Sequence, residues 1–198
     1  MLIETVMNGF DRKKTLILER ELDFSNAIGA AVVEKPRISF WMILIPILFL
    51  YFLYRMQTYK EGRLKFDQEF MAARRRAMEV AVEAVKTGGG PDIDRAVRQS
   101  EVAVSIEKPY ACWVRVLTEH YMDLLSATGD SFESLVRSAY CSRTNYLLAL
   151  NRLSTVEKEF YDAMKPQLSS TEGAAEIITT IETKSQHLRR KFAEQIFV

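Results

Sequence analysis

From Ile38 to Tyr54 the chain carries no charge for seventeen residues, between Arg37 and Arg55, with Pro46 near the middle. A helix of that length rises about 26 Å, close to the roughly 30 Å hydrocarbon core of a bilayer. A helix buried in a soluble core normally keeps a polar stripe. From Phe40 to Leu53 there is none. Phe40 and Trp41 stand at one end of the run, and Tyr51, Phe52 and Tyr54 at the other, as aromatic belts at two water boundaries do. Arg37 and Arg55 can snorkel their charges to those boundaries. The expectation is a single transmembrane helix over 38–54, anchored by Phe40, Trp41, Pro46, Tyr51, Tyr54 and Arg55.

Pro46 opens an alternative. It removes a backbone donor and bends a helix, and a sharp bend would return both halves to one face of the membrane as a re-entrant dip. Each half would then reach roughly 12 Å deep. Unpaired backbone at a hairpin tip in lipid is costly, which favours the span. The run lies behind a charged segment and no small-residue cleavage site follows it, unlike a signal peptide. Residues 55–74 hold five basic side chains (Arg55, Lys60, Arg63, Lys65, Arg74) and residues 18–37 hold three (Arg20, Lys35, Arg37). That asymmetry predicts a cytoplasmic C-terminal part.

Residues 1–37 mix apolar and charged side chains at helical spacing. They read either as an amphipathic helix on the membrane surface or as an arm packed on the C-terminal domain; acids and bases balance there, which weakens the first reading. After Arg55, the residues Leu64, Phe66, Phe70, Ala73, Ala77, Ala81 and Val85 form a stripe of helical period. "KTGGGPD" then stops the helix, so residues 55–90 read as a stalk helix and glycine-rich hinge. Over 91–198 further helices are expected at about 92–106, 109–127 (with Pro109 in the first turn), 131–164 with a break near Ser142, and from about 170 to the end. Asp130 with Glu133, and Ser169 with Glu172, resemble capping pairs. The last helix carries a seam of Ala174, Ile178, Ile181, Ser185, Leu188 and Phe192. No alternating strand pattern appears. The fold class is all-α: a membrane helix, a stalk, and a bundle of about five helices with 109–127 at its centre.

Basic and acidic residues number 27 and 26, so no overall charge points to nucleic acid. The triple arginine Arg74, Arg75 and Arg76 lacks interleaved aromatics and reads as a protein-contact face or as internal ion pairs. Two cysteines, Cys112 and Cys141, have neither zinc nor redox spacing. There is no Walker loop, nucleophile elbow or zincin motif. "TEHYMD" offers Glu119, His120 and Asp123 on one helix, but a metal would need ligands from elsewhere. These observations predict a non-enzymatic, membrane-anchored scaffold, adaptor or accessory subunit with no cofactor. Its partners would be lipid and other subunits of a membrane complex, with self-association left open. The alternative is a ligand-sensing module with a pocket around Trp113, His120, Arg143 and Asn145. A metal-dependent membrane enzyme is the third reading.

Overall fold

The computed structural model describes residues 2–33, 59–100, 102–168 and 174–197. Among them are seven α-helices and no strand: α1 (Leu2–Val33), α2 (Tyr59–Thr87), α3 (Ile93–Arg98), α4 (Val104–Ser126), α5 (Phe132–Tyr140), α6 (Arg143–Met164) and α7 (Ala174–Ile196). A 3-10 turn, Lys165–Leu168, follows α6. The apolar run with Phe40, Trp41, Pro46, Tyr51, Tyr54 and Arg55 lies outside the described residues, as do Ser169 and Glu172. Among the described residues no helix is long and apolar enough to cross a membrane.

The periodicities become the core. On α2, Phe70, Ala73, Ala77 and Ala81 are buried, so this part of the presumed stalk is an inner wall of the bundle. Gly88 takes a left-handed backbone (φ 68°) just past Thr87 and ends α2 as the glycine run predicts. On α4 both apolar faces are covered. Tyr110, Val114, Leu117 and Tyr121 are buried, and so are Trp113, Val116 and Leu124. The helix packs on α1, α2, α3, α5 and α6 and is central. On α7, Ile178, Ile181, Ser185 and Leu188 face inward.

Three local expectations are corrected. The segment 92–106 is the short α3, capped by the Asp92 carboxylate accepting from the Arg95 N–H at 2.9 Å, followed by a break. The next helix already starts at Val104, which places Pro109 inside it, past the first turn, where proline forfeits one intrahelical hydrogen bond. The cap of α5 is Ser131 rather than Asp130. Its Oγ accepts from the Ser134 N–H (3.2 Å), and Ser134 Oγ accepts from the Ser131 N–H (3.0 Å). A serine pair makes the reciprocal bonds expected of Asp130 and Glu133. The break near Ser142 is present: Cys141 is left-handed (φ 60°) and Ser142 caps α6 through the Asn145 N–H.

The arm packed on the C-terminal domain is the form that residues 2–33 take. Ile17, Phe24, Ser25 and Ile28 of α1 are buried against α2, α4 and α7. Lys13 Nζ donates to the Leu125 carbonyl at the end of α4 (2.9 Å), and Arg12 donates to the Asp130 carbonyl (3.2 Å). Cations suit the carbonyl-rich C-terminus of a helix. Burying Ile17, Phe24 and Ile28 alone contributes about 5–9 kcal/mol of transfer free energy, before the entropy of ordering the helix is subtracted. Where α1 advances from Glu21 to Phe24, its partner on α2 retreats from Arg74 to Phe70. The two helices therefore run antiparallel.

Candidate functional site

The core of the bundle holds an unusual concentration of charge. Arg74, in the middle of the α2 stripe, is 2% exposed. Its Nε donates to Glu21 Oε2 of α1 (2.8 Å), its Nη2 to Glu157 Oε1 of α6 (3.4 Å), and its Nη1 to the Phe70 carbonyl one turn back (3.2 Å). Glu157 uses its other oxygen to accept from Arg189 Nη1 of α7 (2.7 Å), and the same Nη1 lies 2.7 Å from Ser154 Oγ. The chain Glu21–Arg74–Glu157–Arg189 thus links α1, α2, α6 and α7.

Arg74, Glu157 and Arg189 are buried and Glu21 is half-buried; removing charge from water is costly unless every ion is paired and hydrogen-bonded. Burial pushes Arg74 toward neutrality, but the adjacent Glu21 and Glu157 carboxylates outweigh it and raise its pKa further. Ring faces complete the lining. The Arg74 guanidinium sits 3.5 Å over Phe70 and 5.6 Å from Trp113, and Arg20 sits 3.7 Å over Phe192. Burial first, and then the Glu21 carboxylate, push the Tyr121 hydroxyl well above its ordinary range, so it stays a neutral phenol.

Beside this network lies a cavity of about 40 Å³, lined by Arg20, Glu21, His120, Tyr146 and Arg189 with Phe24, Phe132 and Phe192 as its aromatic walls. That is room for a water or two. His120 Nδ1 is 2.5 Å from the Tyr140 hydroxyl, which donates to Asp123 Oδ2 at 3.4 Å. With the tyrosine proton directed to Asp123, Nδ1 carries the imidazole proton and donates to Tyr140. Burial lowers the His120 pKa to about 4, more than the Glu21 charge raises it, so the ring is neutral near pH 7.

The residues singled out from sequence separate into three places. Arg74 and Trp113 are buried and His120 is half-buried. Trp113 stacks on Phe160 (5.4 Å between centroids, 2° between planes) and does not line the His120 cavity. Arg75 is exposed and Arg76 half-buried. Arg143 is exposed and pairs with Glu194 at 3.2 Å, while Asn145 Nδ2 donates to the Tyr140 carbonyl at 3.0 Å. The structure therefore does not gather Trp113, His120, Arg143 and Asn145 around one pocket. Glu119 pairs with Arg152 (2.8 Å), away from Asp123's bond to Tyr140. Among the described residues no group of three or more His, Cys, Asp or Glu could hold a metal ion.

Sequence reading missed Arg20, Glu21, Glu157 and Arg189. A usable signal existed: Glu157 falls between Leu153 and Phe160 on the buried stripe of α6, and Arg189 follows Leu188 on that of α7. A charge at a core register needs a partner of opposite sign at another core register. No protein-family model, no curated protein and no solved structure matches this chain.

Proposed function

We propose that this protein is a membrane-associated helical scaffold or accessory subunit, acting by protein–protein contact rather than by catalysis. One observation carries the reading. The helix before the apolar run and the helix after it are locked to α6 and α7 by the Glu21–Arg74–Glu157–Arg189 network. α1 and α2 are thereby fixed to each other and to the bundle, which suits a part that must present a fixed surface near a membrane. Attachment to lipid would raise the concentration of that surface for neighbouring subunits.

The contact surface would be polar. The apolar faces of α4 and α7 are used inside the bundle, and among the described residues the large exposed hydrophobics are scattered singly as Leu22, Val104 and Leu148. Arg75 on α2 and Leu148 on α6 are exposed side chains that such a surface would use. The test is native electrophoresis of the full chain extracted from its own membranes in mild detergent. Migration well above its 22.8 kDa, lost on Arg75→Glu with Leu148→Asp, is expected. Migration as a free monomer would remove the scaffold reading.

A second reading, ligand sensing, is favoured by the polar groups converging on the His120 cavity. Its 40 Å³ is far below the ~300 Å³ at which drug-sized ligand sites begin. Thermal stabilisation of the purified protein by a small metabolite would support it.

A further inference from the structure

We infer that the cavity beside the charged core is a binding site for a small monovalent anion, a halide or a carboxylate group, held between Arg20 of α1 and Arg189 of α7. The site stands whether or not the chain acts as a scaffold.

The charges of the core do not cancel. Arg20, Arg74 and Arg189 carry three positive charges against the two negative charges of Glu21 and Glu157. Both carboxylates are already engaged, Glu21 by Arg74, and Glu157 by Arg74 and Arg189. Arg20 is left with ring faces. Its guanidinium lies 3.7 Å from the Phe192 ring and 5.5 Å from that of Phe132, and its Nε is buried with no hydrogen-bond partner among the described residues. Ring faces attract a cation but accept only weak hydrogen bonds, and a buried donor without an acceptor costs stability. His120 is neutral near pH 7 and adds no charge. Glu133, the nearby acid on α5, does not line the cavity. One positive charge therefore remains for an occupant to balance.

The wall supplies donors as well as charge. Arg189 uses Nη1 for Glu157 and Ser154, which leaves the N–H groups on its Nε and Nη2 outside those bonds. Burial keeps the Tyr146 phenol protonated, so this lining residue has a proton to donate. Size then limits the class of ligand. A water needs roughly 10–15 Å³ of such space, so about 40 Å³ admits a halide ion, or a carboxylate group with a water beside it. A tetrahedral dianion would bring twice the charge to be balanced and would face Glu21 on the same wall. The lining comes from α1, α4, α5, α6 and α7, so an anion held there would tighten the docking of α1.

The experiment uses the purified full chain in mild detergent at constant ionic strength, with sodium gluconate replaced stepwise by chloride or by formate. Gluconate is too bulky for the cavity and serves as the reference. Melting temperatures followed by circular dichroism should rise saturably, by about 3–6 °C at ten times the dissociation constant. A rise with chloride alone identifies the occupant as a halide, and one with formate alone as a carboxylate; a rise with both supports the shared chemistry. Arg20→Gln should abolish the rise. Tyr146→Phe, which keeps the ring and the charge balance, should raise the half-saturating concentration about tenfold. No rise over gluconate would mean that the cavity takes water only, and would overturn the inference. An undiminished rise in Arg20→Gln, or an unchanged half-saturation in Tyr146→Phe, would place the anion elsewhere and overturn it as well. Tyr146→Phe decides alone if Arg20→Gln does not fold.

Discussion

Arg74 Nε lies 2.8 Å from Glu21 Oε2, joining the helix before the apolar run to the helix after it inside the protein core. The same guanidinium reaches Glu157. Replacing Arg74 with Met removes the ion pair of Glu21 and leaves Glu157 paired with Arg189 alone. The expected loss is about 3–5 kcal/mol, the usual cost of breaking a buried pair from one side. Its exposed neighbour is the control: Arg75→Met should stay within about 0.5 kcal/mol. Urea unfolding of both variants, followed by circular dichroism, decides it, and equal midpoints would contradict the burial of Arg74.

Phe24 is 6% exposed and Leu22, two residues earlier, is 40% exposed. Phe24→Ala should cost about 3–5 kcal/mol and Leu22→Ala much less, because only the first removes packed core. Similar small effects from both would mean that α1 contributes no core. That comparison tests the docking of α1 independently of any membrane.

His120 should make stability depend on pH. Its pKa is about 4 in the folded chain, lowered mainly by burial, against 6.5 as the ordinary value. Between those values the unfolded chain binds a proton that the folded chain does not. The stabilisation is therefore complete above pH 6.5 and is lost as pH falls toward 4, a swing of about 3 kcal/mol for this one group. Unfolding midpoints at pH 7.5, 5.5 and 4.5 should fall for the parent and fall less steeply for His120→Gln. Parallel slopes would assign the acid sensitivity to other groups.

Two turn positions have opposite expectations. Cys141 occupies a left-handed backbone (φ 60°) at the end of α5. Left-handed backbone strains any residue with a Cβ, so Cys141→Gly should gain roughly 0.5–1 kcal/mol. At Gly129 an added Cβ would come within 2.3 Å of Ser134 Oγ and 2.9 Å of the Leu135 N atom. Gly129→Ala should therefore disturb the α5 cap and cost about 1–3 kcal/mol. Thermal melts of the two variants should shift in opposite directions.

The helices could be read from the sequence because their signals are local. The stripe through Phe70, Ala73, Ala77 and Ala81, the glycine stop after Thr87 and the seam of α7 depend on spacing alone. Helix starts were less legible. Pro109 marks a first turn only if nothing upstream is helical, and the bonds of α4 begin at Val104. The charged core was hidden for a different reason. Arg74, Glu157 and Arg189 become partners only after three distant helices are brought together, and pairing at such range leaves no periodic trace. The same applies to residues 2–33. Their mixed composition suits a membrane surface as well as a core, and the choice is made by contacts with Phe70 and Phe192 far along the chain.

Phe24 of α1 packs against Phe192 of α7, far along the chain. During synthesis α1 therefore has to wait for α7, made much later, before its site on the bundle is complete. The apolar run 38–54 leaves the ribosome early in that interval, long before α7 is made. Contacts this distant in sequence close late, because the loop entropy must be met before they form. During that delay something other than the protein's own fold must keep the run from aggregating, and the bilayer is one such surface. Docking of α1 would then be completed only when α7 seals the groove beside it.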